Sequence, residues 1–246
     1  MPVTAPSEPP PRTLAIDIGG TGIKLLPIDR DGRPLAARHR ELTPQPATPD
    51  ATLSLIRIMV DAQGAFDRVS VGFPGVVKKG VVKTAPNLGT EAWRDFDLGA
   101  AIAAFTNRPV RVLNDAELQG YGVIEGTGVE MVLTLGTGLG TALYTNGHLV
   151  PNLELGHHYL RQGKTYEQVV SDSELKNVGR KRWRRRIQLV IDTLEQIFNY
   201  DNLYIGGGNA RKLTGPFAPN VRVFSNVEGL AGGTRLWRDN ADNDAR

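Results

Sequence analysis

Residues 133–144 read LTLGTGLGTALY and place three glycines and three threonines between two short apolar runs. Two β-prone runs joined by glycine and threonine are typical of a hairpin. The same turn can also bind an anion, because glycine lets the backbone approach closely and successive N–H groups form an anion-binding nest. A single glycine motif carries little weight, so this stretch by itself favours the plain hairpin.

A second copy of the pattern lies about 120 residues earlier, where residues 14–32 read LAIDIGGTGIKLLPIDRDG. Both copies run from an apolar strand through a turn rich in glycine and threonine into a second apolar strand and a tight turn. Two copies of one unit indicate two pseudo-symmetric lobes. Two phosphate-binding turns that face one cleft explain the repeat better than two unrelated hairpins, and the repeat therefore favours phosphate.

The composition is that of an ordinary globular protein and excludes several kinds of chemistry. The 246 residues are 40% hydrophobic and 22% charged, and a chain of this length buries roughly 70–75% of its unfolded surface, enough for an enzyme core. The absence of cysteine excludes disulfides, thiolate zinc sites and cysteine nucleophiles, and is consistent with a cytoplasmic protein. No run reaches the ~18 apolar residues of a membrane span. The net charge of +3 implies no general affinity for nucleic acid or membranes.

The N-terminal residues predict an extension rather than a targeting signal. MPVTAPSEPPPRT contains five prolines and no apolar run. A signal peptide requires an apolar segment, so we expect residues 1–12 to form a disordered extension before the first strand.

Apolar runs and turn signals alternate along the rest of the chain and predict an α/β protein with mixed sheets. We expect a third strand near residues 34–41 and a helix over residues 51–66 with Asp50 as its N-cap. The glycines at 206–208 are expected to open a further helix. One face of a long amphipathic helix is marked by Trp183, Ile187, Val190, Ile191, Leu194 and Phe198.

Eight short elements of the sequence occur in the order found in one family. They are AIDIGGTGIK, LTPQPATP, GFPGVV, GVVKTAPNL, LNDAE, LGTGLGTA, VPNLELGH and YIGGGN. Over residues 13–237 the chain resembles the ROK (repressor–ORF–kinase) sugar kinases, and among them the polyphosphate glucokinase branch. The resemblance implies two ribonuclease-H-like lobes of the actin-like ATPase superfamily, with mixed sheets around a central cleft. It implies an N-terminal lobe over residues 13–114, joined by a C-terminal helix at 227–238, and a C-terminal lobe over 115–226.

Asp17 ends an apolar strand directly before the first glycine turn. A turn-capping role is common for such an Asp. Beside phosphates, however, a carboxylate would be repelled unless a cation lay between them, which favours a Mg²⁺ ligand acting through water. Lys24, two residues past the turn, is expected to be solvated. The resemblance assigns phosphate binding to Gly19, Gly20 and Thr21 in the first turn and to Gly136, Thr137 and Gly138 in the second. The glycines at 206–208 lie beside adenosine in the ATP-using kinases that the chain resembles, and N–H groups at an expected helix start there, at Gly207, are equally suited to a phosphate oxygen.

Asn114 and Asp115 end a hydrophobic strand and precede a helix. Ligands gather at the carboxyl ends of strands in open α/β sheets, whereas the plain alternative makes Asp115 the helix N-cap. In the kinases that the chain resembles, this Asp is the general base for the attacking sugar hydroxyl and the Asn holds the sugar. A base of this kind contributes about 10²–10⁴-fold to the rate.

The resemblance assigns the remaining sugar contacts to Glu154 and His157 of the Glu-x-Gly-His element, to Glu167 as a second Glu, and to Asn87 and Gly75. A plain loop is the alternative for several of these. Most ROK members also use this His as a zinc ligand beside a cysteine cluster. The cysteines are missing here, so zinc is not expected and His157 would bind sugar only.

A basic run, GRKRWRRR, covers residues 179–186 and contains six basic residues in eight. It is read either as a solvated helix start or as a binding surface for an anionic partner. Cations near a helix N-terminus oppose the macrodipole by ~0.3–1 kcal/mol each, and an anion would relieve that cost. Polyphosphate fits such a surface, which Lys78, Lys79 and Lys83 would extend. The same run would bind nucleic acid only non-specifically.

Together these features predict a Mg²⁺-dependent kinase that transfers a phosphoryl group from polyphosphate to the 6-hydroxyl of glucose. The alternative is an ATP-dependent ROK hexokinase acting on glucose or another hexose. A sugar-sensing regulator and a catalytically silent relative are less consistent with the residues. The resemblance also implies a homodimer. The modest net charge and the lack of a long apolar run predict no specific nucleic-acid partner and no membrane partner.

Overall fold

The computed structural model of the chain describes residues 10–237. Most of the extension predicted for residues 1–12, and the end of the C-terminal helix predicted for 227–238, lie outside the described residues. No helix within the described range is both long enough and apolar enough to cross a membrane.

Strands and helices alternate as predicted. The strands of the described range are β1 Thr13–Ile18, β2 Ile23–Ile28, β3 His39–Glu41, β4 Arg68–Phe73, β5 Val77–Lys78, β6 Val81–Val82, β7 Val110–Asn114, β8 Val129–Leu135, β9 Leu139–Thr145, β10 His148–Val150, β11 Tyr159–Arg161, β12 Lys164–Thr165, β13 Asn202–Gly206 and β14 Val221–Val223. The helices are α1 Pro49–Asp61, α2 Thr90–Trp93, α3 Leu98–Thr106, α4 Asp115–Tyr121, α5 Tyr166–Val170, α6 Asp172–Phe198 and α7 Asn226–Arg235. Short 3₁₀ turns cover Leu155–His157 and Ala210–Lys212.

Two five-stranded sheets share one topology. The first has the order β3-β2-β1-β4-β7 and the second has the order β10-β9-β8-β13-β14. In each sheet the first three strands pair antiparallel and the last two add in parallel. The two glycine turns, after β1 and after β8, therefore occupy equivalent positions, and the mixed α/β fold with a repeated unit is confirmed.

Two helices connect the halves of the molecule. α4, which follows the first sheet in sequence, packs against β8 and β9 of the second sheet as well as against β4 and β7. α7, which follows the second sheet, packs on β1, β2 and β4 of the first sheet and on α4. The buried Ser70 hydroxyl of β4 donates to the Gly233 carbonyl at 2.7 Å and fixes α7 there. The lobe boundaries at residues 114 and 226 stay a prediction.

Each sheet has its own apolar core. Every residue of β1 is buried, because α1 and α3 cover one face of the first sheet and α7 covers the other. α6 buries Trp183, Ile187, Val190, Ile191 and Leu194 against the second sheet, as its periodicity predicts, whereas Phe198 is only partly buried. Burial of each such side chain stabilises the fold by about 1.5–3 kcal/mol.

The ends of α1 differ from the prediction. Thr48, not Asp50, is the N-cap, because Thr48 has extended backbone angles and its side chain accepts the Ala51 N–H. Pro49 follows at the first helical position, where its missing N–H costs nothing, and Asp50 lies in the first turn. The helix ends at Asp61 rather than at residue 66, shortly before Gly64.

Two other elements are shorter than predicted. The third strand covers only His39–Glu41, because Pro34 cannot donate to a ladder and forms just an isolated bridge with Ile28. The glycines at 206–208 lead into a single 3₁₀ turn, Ala210–Lys212, rather than a helix.

Candidate active site

The two glycine turns open onto one cleft of about 920 Å³. Residues from both sheets line it, together with the loop after β10 and the start of α4. Every candidate site residue named from the sequence lines this cleft: Asp17, Gly19, Gly20, Thr21, Gly75, Asn87, Asn114, Asp115, Gly136, Thr137, Gly138, Glu154, His157, Glu167 and Gly207. The roles assigned to these residues stay predictions.

Each of the two turns is closed by one backbone hydrogen bond. In the first, the Gly19 N–H donates to the Gly22 carbonyl at 3.1 Å, and in the second the Gly136 N–H donates to the Gly138 carbonyl at 3.1 Å. Within residues 10–237, the N–H groups of Gly20 and Thr21 in the first turn and of Thr137 and Gly138 in the second find no protein acceptor. Each turn therefore keeps backbone donors available for an anion, which a plain hairpin does not require.

Asp115 is the first residue of α4, and the N-cap is Asn114. The Asn114 side chain accepts the Ala116 N–H at 2.8 Å and Glu117 completes a capping box. The interpretation of Asp115 as the N-cap is thus wrong, because its neighbour already fills that role. One Asp115 oxygen also accepts the Ala116 N–H at 2.8 Å, which leaves its second oxygen available for chemistry.

The Asp115 carboxyl has a strongly shifted affinity for protons. Part of the side chain is accessible from the cleft, yet the protein around it removes most of its hydration. This burial raises the pKa of Asp115 to about 7, with further raising contributions from Asp17 and Glu154 and opposing ones from the Ala116 N–H and Lys24. A carboxyl that titrates near neutral pH is suited to accept a proton from a hydroxyl.

Asn114 holds the start of α4 against the loop after β4. Its amide nitrogen donates to the Gly75 carbonyl at 3.2 Å. Gly75 is required there because a Cβ would lie 2.0 Å from the Thr84 carbonyl oxygen. Both side-chain polar atoms of Asn114 thus bond within the protein, and only its second amide hydrogen remains for a sugar.

Asp17 is paired with Lys24, a residue that its place after the turn predicts to be solvated. Lys24 Nζ lies 2.5 Å from Asp17 Oδ2, and both side chains are largely buried. The expectation that Lys24 is solvated is wrong, since the register of β1 and β2 sets the two residues directly opposite each other. Within residues 10–237 no three His, Cys, Asp or Glu side chains come together to hold a metal on their own. Mg²⁺ beside phosphates needs only one or two carboxylates, so the second oxygen of Asp17 still fits that role.

The predicted sugar ligands lie close together. Glu154 Oε2 and His157 Nε2 are 3.6 Å apart at the two ends of one short loop. Burial raises the pKa of the Glu154 carboxyl, His157 opposes the shift, and Glu167 adds to it. Glu167 also accepts the Leu139 N–H at 3.2 Å and so supports the second glycine turn. Asn87 lies against the first turn, beside Gly20.

The predicted basic surface lies outside the cleft. None of residues 180–186 lines it, and Lys78, Lys79 and Lys83 line a separate cavity of about 950 Å³. The run does begin a helical segment, because α6 is interrupted at Gly179 (φ 76°, ψ 160°). In the described part of the chain, the lysines and arginines that line the cleft are Lys24, Arg38, Arg40 and Arg211, and the three arginines are absent from the sequence prediction.

We expect Gly207→Ala to destabilise the fold by about 2–4 kcal/mol. Gly207 has a φ of +87°, and a Cβ there would lie 2.5 Å from the Leu135 carbonyl oxygen and 2.6 Å from the Leu135 nitrogen. Neither backbone atom can move without displacing the second glycine turn. Urea unfolding measures the change.

Gly208→Ala is the matched control, because no atom lies within 4 Å of a Cβ at this neighbouring glycine. We expect its free energy of unfolding to stay near that of the wild type. Equal stability of the two alanine variants would contradict the packing argument for Gly207.

Comparison with known proteins gives one consistent family. The family model described as "ROK family" matches residues 13–172. The chain is 37% identical over 211 residues to a polyphosphate glucokinase of Mycobacterium leprae (strain TN), a match that covers 82% of this chain and 64% of that protein. It is also 37% identical over 210 residues to a polyphosphate glucokinase of Mycobacterium tuberculosis (strain CDC 1551 / Oshkosh), covering 80% of this chain and 77% of that protein.

The fold matches a solved structure over nearly its whole length. An inorganic polyphosphate/ATP-glucomannokinase from Arthrobacter sp. strain KM superimposes with a TM-score of 0.82 and 31% identity, covering 92% of this chain and 97% of that one. This agreement confirms the two-lobed actin-like ATPase fold. With the family match spanning more than half of its residues, the chain belongs to the ROK family.

Proposed function

We propose that the protein is a polyphosphate-dependent glucokinase, which transfers a phosphoryl group from inorganic polyphosphate to the 6-hydroxyl of glucose. The observation that carries the proposal is the position of Asp115, a carboxyl with a pKa of about 7, in one cleft with both glycine turns and the Glu154–His157 pair. The names of the similar mycobacterial and Arthrobacter proteins support the choice of sugar and donor.

In the proposed reaction Asp115 accepts the proton of the sugar 6-hydroxyl. The hydroxyl oxygen attacks the terminal phosphorus of the donor, and the bond from that phosphorus to its bridging oxygen breaks. The products are glucose 6-phosphate and a polyphosphate shortened by one unit. Most of the acceleration in such a transfer comes from positioning and charge stabilisation, which the free N–H groups of the two turns would supply.

The sugar would be held by residues around the Asp115 carboxyl. Glu154 and His157 are close enough to bind adjacent hydroxyls, and Glu167, Asn87 and Asn114 border the same space. Closure of the two halves on the sugar would exclude water, which otherwise competes as the phosphoryl acceptor.

We further propose Mg²⁺ as the cofactor, with Asp17 holding it through water. When bound, Mg²⁺ would neutralise charge on the donor phosphates. The oxygen of Asp17 that Lys24 leaves unbonded, at the end of β1 beside the first turn, is the group suited to this role. We likewise propose the homodimer that the family implies and the cytoplasmic location that the absence of cysteine favours, and light scattering of the purified protein tests the first.

The donor is tested by glucose 6-phosphate formation with Mg²⁺ and either polyphosphate or ATP. We expect faster turnover with polyphosphate and loss of activity when EDTA removes Mg²⁺. Activity with ATP alone would favour the alternative, an ATP-dependent hexokinase. This alternative is supported by the name of the similar Arthrobacter enzyme, which includes ATP as well as polyphosphate. No product from either donor would overturn the proposal, and other hexoses would be tested next.

A further inference from the structure

Among the described residues, 10–237, four lysine and arginine side chains line the cleft, and three of them lack an anionic partner. Lys24 is paired with Asp17. The side chains of Arg38, Arg40 and Arg211 form no hydrogen bond, ion pair or aromatic contact with any residue between 10 and 237. Unpaired guanidinium groups gathered in a cleft favour an anionic ligand, because each offers a planar fork of donors suited to phosphate oxygens.

The strand register aligns one of these arginines with the catalytic end of the cleft. Asp17 lies opposite Lys24 in the β1–β2 ladder, and Lys24 lies opposite Arg40 in the β2–β3 ladder. The three charges thus form one row across the sheet, negative, positive and positive. Like charges directly opposite each other destabilise a sheet, and an anion beside Lys24 and Arg40 would reverse that effect.

Arg40 also touches the first glycine turn. A Cβ added to Gly22 would come within 3.0 Å of Arg40 Nε, so the guanidinium lies directly against the turn. Arg38 is two residues earlier and lines the same cleft, while the intervening His39 contacts Glu41 and Gln63 instead. In an extended strand, alternate side chains point to the same face, so Arg38 and Arg40 share the face that lines the cleft. Arg38 therefore continues the row of positive charge outward from the turn.

Arg211 adds positive charge from the second half of the molecule. It lies in the 3₁₀ turn that follows Gly207 and Gly208, and all three residues line the cleft. Positive charge is therefore supplied by both halves, next to the two turns that keep free N–H groups.

We infer that Arg38, Arg40 and Arg211 form a donor track that binds the phosphates of polyphosphate beyond the one that is transferred. The inference rests on the proposed function and adds to it a preference for long polyphosphate chains over short phosphoryl donors. A linear polyphosphate carries charge on every unit and would bind along the whole track. A nucleoside triphosphate ends its charge after three phosphates, where an uncharged sugar and base follow.

The donor track replaces the basic run as the expected polyphosphate site. In that run, Arg180 donates to the Lys212 carbonyl and Arg186 pairs with Glu174. Arg182 and Arg185 are exposed and outside the cleft. These two provide a control in which the same number of charges is removed from a different surface.

The test compares the double variant Arg38→Gln/Arg211→Gln with the control Arg182→Gln/Arg185→Gln. Turnover is measured with long-chain polyphosphate and with tripolyphosphate over a range of salt concentrations. We expect the first variant to raise KM for the long chain about tenfold and to reduce the salt slope of log KM by about two, one for each lost phosphate contact. KM for glucose and kcat at saturating donor should stay unchanged, and tripolyphosphate should respond less. The control should match the wild type.

A rise in KM for the control equal to or larger than that for the track variant would overturn the inference, as would an unchanged KM in the track variant. Equilibrium binding of end-labelled long-chain polyphosphate separates this result from the proposed reaction. A wild-type protein that binds the label through the track without forming glucose 6-phosphate would refute the proposed function alone. Wild-type activity with equal binding by both double variants would refute the track alone.

Discussion

Asp115→Asn is expected to lower kcat for glucose phosphorylation by about 10²–10⁴-fold while glucose still binds. An amide accepts no proton at neutral pH, so the sugar hydroxyl would lose its base. The substitution keeps the shape of the side chain, and the amide oxygen can still accept the Ala116 N–H that the carboxylate accepts at 2.8 Å. Initial rates at saturating donor and Mg²⁺ measure the loss, and calorimetry measures glucose binding.

Asp50→Asn is the matched control. Asp50 also lies in the first turn of a helix, but it is exposed and outside the cleft. We expect wild-type turnover from it. A kcat for Asp115→Asn within tenfold of the wild type would exclude Asp115 as the base, and loss of glucose binding would show a sugar-holding role instead.

The Asp115 carboxyl also determines how kcat/KM is expected to depend on pH. The pKa of Asp115 is about 7, and the base must be ionised to accept a proton. For the wild type, kcat/KM should therefore fall as the pH is lowered through about 7, because this ratio reports the free enzyme. The residual rate of Asp115→Asn should lack that acidic limb.

Stability should change with pH in the opposite sense. The folded pKa of about 7 lies above the unfolded Asp value of about 3.9. The contribution of Asp115 to stability is thus fully present below pH ~4 and is lost as the pH rises through ~7. Asp115→Asn escapes this loss, and its advantage in unfolding free energy should grow to about 1–2 kcal/mol at pH 8, after allowance for screening of a partly exposed group. Urea unfolding at pH 5 and pH 8 checks the difference.

The repeat and the cleft could be predicted from the sequence because they are encoded locally. A glycine turn between apolar strands is visible in any short window, and its second copy indicates two equivalent halves. The N-cap of α4 is harder to predict from the sequence than the repeat, because Asn114 and Asp115 are adjacent and both residue types cap helices well. The choice between them depends on which residue leaves the strand with non-helical backbone angles. Only the structure determines that.

The positions of the cations that line the cleft could not be predicted from the sequence. The run at 180–186 is conspicuous because its cations are neighbours in sequence, yet it lies away from the cleft. Lys24 and Arg40 lie opposite each other through the β2–β3 register, and Arg211 lines the same cleft from the second half of the molecule. Such contacts join distant positions in the chain, and no local pattern reports them.

The role of Glu117 at the start of α4 is absent from the sequence prediction, although the sequence contains a signal for it. Asn114-x-x-Glu117 is the spacing of a capping box, in which the third helical residue returns to the N-cap backbone. Glu117 Oε2 accepts the Asn114 N–H at 3.2 Å, as that signature predicts. The second bond was unpredictable: Oε1 accepts the N–H of Asn152, 35 residues away, at 2.6 Å.

Glu117→Ala is expected to lower kcat/KM for glucose by about 10–100-fold and the free energy of unfolding by about 2–3 kcal/mol. The carboxylate is 2% exposed and joins the helix start that carries Asp115 to the loop that carries Glu154. Its removal leaves two backbone N–H groups without their acceptor and frees that loop to shift. A displacement of about 1 Å between base and sugar is enough to cost 10²-fold in rate.

The conservative variant Glu117→Gln and the control Glu130→Gln separate an effect on the placement of the base from an effect on the stability of the fold. Glu117→Gln keeps one acceptor oxygen, so it should recover part of kcat/KM, mainly through a higher kcat. Glu130→Gln tests a buried carboxylate that accepts the N–H groups of Glu125, Gly126 and Thr127 at the far end of β8. It should lose comparable stability while its folded fraction keeps wild-type kcat/KM. If Glu117→Ala and Glu130→Gln lose kcat/KM only in proportion to their unfolded fractions, then Glu117 supports the fold and does not position the base against the sugar.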